Sequence, residues 1–208
     1  MKVAIIDYNM GNLHSVGRAV THVAPVGAQV KITADPDFIR HADRIVFPGQ
    51  GAARDCMREL ETRGLSEIVR EVAKTKPFLG ICMGMQVLMD FSEENGGVEC
   101  MGAYAGQVRY FKNLHIAQLK TPQMGWNQIQ QKTAHPLWAG IQDKARFYFV
   151  HSYYVQPTDT SLVAGETFYG LNYAAAIAKD NVFAIQAHPE KSAEDGLRLL
   201  ANFMQWQP

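Results

Sequence analysis

The chain has 208 residues, 47% of them hydrophobic and 19% charged, which is a globular composition with length for one domain or one domain with a modest lobe. Lysine plus arginine equals aspartate plus glutamate at 20 each, so no broad basic field exists to steer nucleic acid, and nucleic-acid binding is set aside. No apolar run nears the roughly 20 residues that span a bilayer, and the opening segment has no leader-like cleavage site. Cys56, Cys82 and Cys100 form no even-numbered disulfide set, so a soluble protein of a reducing compartment, the cytoplasm, is expected, with free thiols.

Val3–Ile6 is an apolar run of strand length ending at Asp7, and His14–Val23 carries Val16, Ala19, Val20 and Val23 at helical spacing. Gln29–Thr33 reads as a second strand, and Asp35-Pro36 opens a short helix. Arg44–Phe47 is a third strand, stopped by Pro48-Gly49-Gln50-Gly51; helices follow at Ala52–Thr62 and Leu65–Lys74. Pro77–Ile81 is a fourth strand that enters a helix near Met83 running through Gln86 to Met89. Short strands apolar on both faces, alternating with helices, predict a parallel sheet covered on each side.

Beyond Gly97 the rhythm changes. Gln107–Phe111, Trp126–Gln130, Phe147–Val155, Leu162–Thr167, Ala174–Ala178 and Val182–Gln186 are strand-like, and Ala193–Trp206 closes as an amphipathic helix. No repeat or linker divides the chain. The expected architecture is a single three-layer α/β domain spanning 1–208. Its central, mostly parallel sheet is flanked by helices, with an antiparallel or mixed extension in the later half.

The sharpest local signal is Gly80-Ile81-Cys82-Met83-Gly84, a G-x-nucleophile-x-G elbow where an apolar strand runs into a helix. A nucleophile on such a turn sits in strained backbone, and flanking glycines let neighbouring chain approach closely. First-turn N–H groups of the following helix stabilise a thiolate. A buried structural cysteine between packing glycines is the competing reading of this segment alone. Ala187-His188-Pro189-Glu190 is the second signal: i and i+2 on a strand share a face, so Glu190 can orient the His188 imidazole. His14, His22 and His41 fall on helices, His115 and His135 in polar loops, and His151 reads as a hydrogen-bonded core histidine.

An acyl-transfer site also needs oxyanion donors. The Met83 N–H is one, and the Gly49-Gln50-Gly51 loop is the obvious supplier of a second, although by itself that loop is only a turn. Peptide units between glycines rotate cheaply, so this loop can change which way its N–H groups face. No C-x-x-C or Walker-type spacing is present, so neither metal nor cofactor is expected.

Taken together, the PGxG loop, the GxCxGxQ elbow and the terminal HPE resemble the class I glutamine amidotransferases. Over the whole chain, Asp7–Leu13, Met124-Gly125-Trp126-Asn127 and Phe149–Tyr153 resemble the glutaminase subunits of imidazole glycerol phosphate synthase. That resemblance implies glutamine as substrate, a catalytic triad of Cys82, His188 and Glu190, and substrate contacts from Gln86, Glu94, Ser152 and Tyr153. It further implies a heterodimer with a (β/α)8 cyclase docked at Trp126 and Asn127. The cyclase would use the ammonia to make imidazole glycerol phosphate and aminoimidazole carboxamide ribotide in histidine biosynthesis. Gln50, Asn95, Gln123 and the long Asn113–Thr121 segment depart from the family pattern. A glutaminase for another synthase, a free-standing cysteine hydrolase or peptidase, and a non-catalytic module are the alternatives.

Overall fold

The structure is a computed structural model describing Met1–Pro208. In chain order its elements are β1 (Lys2–Ile6), α1 (Leu13–Val23), β2 (Gln29–Thr33), α2 (Pro36–Arg40), β3 (Arg44–Gly49), α3 (Ala53–Thr62), α4 (Ser66–Thr75), β4 (Phe78–Cys82) and α5 (Met83–Gln86). There follow β5 (Phe91–Ser92), β6 (Val98–Glu99), β7 (Gly106–Tyr110), β8 (Gln123–Gln128), β9 (Gln130–Gln131), β10 (Arg146–His151), β11 (Tyr153–Pro157), β12 (Val163–Phe168), β13 (Asn172–Lys179), β14 (Val182–Ile185) and α6 (Ala193–Gln205).

Strands β2, β1, β3, β4 and β14 lie side by side and parallel, and β13, β11 and β7 continue the same sheet antiparallel. Strands β8 and β10 stand apart as a two-stranded antiparallel ribbon. The strands are apolar on both faces because both faces are covered. In β1, Ala4 and Ile6 pack into the core formed with α2, α3 and α4, whereas Val3 and Ile5 pack into the core formed with α1 and α6. This is the α/β architecture expected, a mostly parallel sheet between helical layers with an antiparallel extension.

Two elements differ from expectation. The apolar stretch 147–155 is not one strand: it breaks at Ser152 into β10 in the ribbon and β11 in the main sheet. The helix after Cys82 is a single turn ending at Gln86. Its continuation is diverted because the Val87, Leu88 and Met89 carbonyls accept from the N–H groups of residues 101–104 rather than from the next turn.

Register fixes where the site forms. Gly49 at the end of β3 lies beside Cys82 at the end of β4, and Ile81 pairs with Ile185 at the end of β14. The loop after β3, the elbow after β4 and the segment after β14 therefore leave the sheet at the same carboxyl edge, where ligand crevices form in open α/β sheets.

Candidate active site

Cys82 sits at φ 55° and ψ −108°, a conformation disfavoured for an L-residue. It persists because its surroundings leave no alternative. A Cβ on Gly84 would drive into the Phe47 carbonyl of β3, and a Cβ on Gly49 would meet the Tyr8 hydroxyl and lie 2.8 Å from Met83 Cβ. The elbow is wedged against β3 with no space for side chains at those two positions. Cys82 is 5% exposed and lines a cavity of about 430 Å³. Met83 is the first residue of its helical turn, so its N–H has no acceptor within that turn.

His188 and Glu190 lie beyond the end of β14, in a loop tightened by the helical turn Pro189–Lys191, so they are not neighbours on a strand face. They meet nonetheless: His188 Nδ1 is 2.8 Å from Glu190 Oε1, with both side chains almost fully buried. The turn is anchored to the ribbon, since His188 N–H donates to the Tyr148 carbonyl at 2.9 Å and Tyr148 N–H donates to Ser192 Oγ at 2.9 Å. Burial by itself lowers the His188 pKa, but the adjacent Cys82 sulfur and the Glu190 carboxylate outweigh it and raise the pKa to about 10. His188 Nε2 has no hydrogen-bond partner among the side chains and backbone around it. An imidazole held charged between a sulfur and a carboxylate can give a proton to a leaving group and recover it from water.

Gln50 and Gly51 line the same cavity, whereas Gly49 lies beneath them against a small void shared with His188 and Glu190. Neither the Gln50 nor the Gly51 N–H makes a hydrogen bond within the protein. Gln86, Glu94, Ser152 and Tyr153 line the cavity as well. Glu94 is partly committed: one carboxylate oxygen accepts from the Ala53 N–H at 2.6 Å, and burial raises its pKa above the usual range despite that bond. Trp126 is 49% exposed on β8, away from the cavity, and Asn127 Nδ2 donates to the Phe168 carbonyl at 2.9 Å.

The profile described as "Glutamine amidotransferase class-I" matches residues 4–206. The imidazole glycerol phosphate synthase subunit HisH of Thiobacillus denitrificans is 54% identical over 99% of this chain and 92% of its own. The HisH subunit of Pseudomonas syringae is 56% identical over 98% of this chain and 97% of its own. The chain is a class I glutamine amidotransferase of the HisH family. A solved glutamine amidotransferase superposes with a TM-score of 0.72 at 14% identity, covering 98% of this chain and 97% of that one, which shows the shared fold.

In and around the cavity of this amidotransferase stand residues that the sequence did not single out. Gln186, fully buried, donates to Cys82 Sγ from Nε2 at 3.6 Å. It stands one residue past the end of β14 and two before His188, and a glutamine closing an otherwise apolar run next to the His-Pro-Glu segment was the signal available. His151 reads as a core histidine and is one, but it also lines the cavity: Nδ1 is 2.7 Å from the Tyr153 carbonyl and Nε2 is 3.0 Å from the Tyr173 hydroxyl. Burial lowers its pKa to about 4, so it is neutral at physiological pH. Gln123, one of the departures from the family pattern, is buried and 2.8 Å from that same hydroxyl. His135 lies in a loop, as expected, but its half-buried ring packs against Phe183 and Trp206, and burial lowers its pKa to about 4.

Proposed function

We propose that this chain, over residues 1–208, is the glutaminase subunit of imidazole glycerol phosphate synthase, producing ammonia in the cytoplasm for a (β/α)8 cyclase in histidine biosynthesis. The observation that carries the reading is the grouping of Cys82, His188 and Glu190 at one sheet edge in a chain more than half identical to HisH subunits. No helix is long and apolar enough to cross a membrane.

In this reading the Cys82 thiolate attacks the side-chain amide carbon of glutamine, and the carbon–sulfur bond forms as the carbonyl electrons move onto oxygen. That oxyanion is met by the Met83 N–H and by a donor from the Gly49-Gln50-Gly51 loop. Imidazolium His188 protonates the amide nitrogen, the carbon–nitrogen bond breaks, and ammonia leaves. Neutral His188 then takes a proton from water as the water attacks the thioester. The carbon–sulfur bond breaks, glutamate departs, and thiolate and imidazolium are restored. Glu190 holds the ring throughout. Gln86, Glu94, Ser152 and Tyr153 hold the amino-acid end of glutamine. No step calls for a metal or organic cofactor.

Trp126 and Asn127 form the docking face for the cyclase, with Met124 (65% exposed) and Phe168 (65% exposed) extending its apolar surface. Trp126 packs edge-on against Tyr148, whose backbone anchors the His188 turn, so this face adjoins the catalytic loop. The test is ammonia release by the reconstituted complex. Cys82→Ala is expected to abolish glutamine-dependent cyclase activity while leaving activity on free ammonia intact. Glutamine hydrolysis retained by that variant refutes the assignment.

A further inference from the structure

Gln186 has no solvent exposure, and its carboxamide lies against Cys82 Sγ. The oxygen and nitrogen of a carboxamide have nearly the same shape, so which of them faces the sulfur has to be decided by their neighbours. A backbone carbonyl settles it, because it can only accept. Gln86 Nε2 is 3.1 Å from the Tyr153 carbonyl oxygen, which requires the NH2 group of Gln86 to point there. The same nitrogen is 2.9 Å from the nearer carboxamide atom of Gln186, which must then be its oxygen. The remaining end of Gln186, its NH2, faces Cys82 Sγ at 3.6 Å. Turning either carboxamide over would set oxygen against oxygen or donor against donor between two almost fully buried side chains, leaving polar groups unpaired. The Tyr153 carbonyl is itself held by His151 Nδ1 at 2.7 Å, so the chain of orientation starts from fixed backbone.

We infer that Gln186 is a thiolate-holding residue, a permanently oriented N–H donor to Cys82 Sγ, with Gln86 as the residue that locks its orientation. The inference rests on Cys82 being the nucleophile. A hydrogen bond to an anion is roughly twice as strong as one to a neutral partner, so this donor favours the sulfur anion over the thiol. It acts twice in the reaction: before attack, and again when sulfur leaves the thioester carrying negative charge. A second consequence concerns Gln86. Both of its N–H groups are directed inward, so only its oxygen is offered to glutamine, which restricts Gln86 to accepting a hydrogen bond from substrate.

The experiment is alkylation of the full-length chain by iodoacetamide, with the Cys82 peptide followed by mass spectrometry at neutral and at strongly alkaline pH. Thiolate is the reacting form, and at strongly alkaline pH every accessible thiol is ionised, so the ratio of the two rates reads thiolate stabilisation separately from access. For Gln186→Met the neutral rate is expected to fall roughly tenfold or more while the alkaline rate is unchanged. Gln186→Glu is expected to fall at least as far, because its carboxylate still accepts from Gln86 but offers no N–H to sulfur. Gln86→Met is expected to shift the ratio in the same direction by less. A purely structural role for Gln186 would lower the melting temperature without moving the ratio. An unchanged ratio in folded Gln186→Met overturns the inference. Should that variant fail to fold, an unchanged ratio in Gln186→Glu and Gln86→Met overturns it. Alkylation needs no glutamine, so a wild-type complex that released no ammonia would refute the proposed function and still leave the ratio to judge Gln186.

Discussion

At the end of β4, Cys82 is held by backbone that has nowhere else to go; in the adjoining loop after β3, the N–H groups of Gln50 and Gly51 make no hydrogen bond within the protein. Gly84 is pressed against the Phe47 carbonyl, so the elbow moves only if β3 moves. A Cβ on Gly51, at φ +89°, would meet nothing closer than the flexible tip of Met10, at 2.8 Å. The nucleophile's position is thus inherited from the packing of the sheet. The donors in the loop beside it are left free to be set by whatever occupies or covers the site.

The contrast can be broken most severely from the nucleophile side. His188→Ala removes the group that serves both half-reactions and is expected to lower ammonia release by about 10²–10⁴-fold, with the fold retained by circular dichroism. Loss of less than about tenfold would place the proton carrier elsewhere. Next in size is the loop side. If docking of the cyclase sets the second oxyanion donor, ammonia release by the complex should exceed that of the isolated chain by roughly 10²–10³. An isolated chain as active as the complex contradicts that account of the loop.

Gly84→Ala and Gly51→Ala sharpen the difference between the elbow and the loop. The first forces a Cβ into backbone and is expected to cost about 1–3 kcal/mol of stability and to disturb alkylation of Cys82. The second strains only its own backbone, at about 1 kcal/mol, and should leave Cys82 alkylation unchanged while reducing ammonia release by the complex. Equal effects of the two on Cys82 would erase the distinction.

The smallest expected effect is on stability against pH. His151 is buried neutral with its pKa lowered from 6.5 to about 4, so the unfolded chain binds the extra proton first. The contribution of His151 to stability is full above about pH 6.5 and is lost as pH falls toward about 4. His188 works in the opposite sense: its contribution is full below about 6.5 and is lost as pH rises through about 10. Melting curves of His151→Gln should therefore decline less steeply on acidification than those of the parent chain. An identical slope would remove His151 from the account.

Much of this was readable from the residues because the determining interactions are local. The apolar strands and the glycines around Cys82 state their geometry within a few positions, and the His-Pro-Glu segment states its pairing, although a helical turn rather than a strand face makes it. What was not readable depends on remote backbone. Val87-Leu88-Met89 looks helical, yet its carbonyls are taken by residues 101–104. The stretch from Phe147 to Val155 is continuously strand-like, and the break at Ser152 arises because its carbonyl accepts from the Phe111 N–H while the chain changes sheets. Gln186 is only the last residue of a strand-like segment in the sequence, and its contacts with Cys82 and Gln86 come from positions about a hundred residues away.

The central claim is a covalent bond between glutamine and one sulfur, and it is tested most directly by trapping that bond. The complex is mixed with glutamine, quenched in acid within a turnover and digested, and the three cysteine peptides are weighed. A glutamyl adduct on the Cys82 peptide, with Cys56 and Cys100 unmodified, is the predicted result. Ammonia release with no adduct at Cys82, or with the adduct on either other cysteine, would contradict the account.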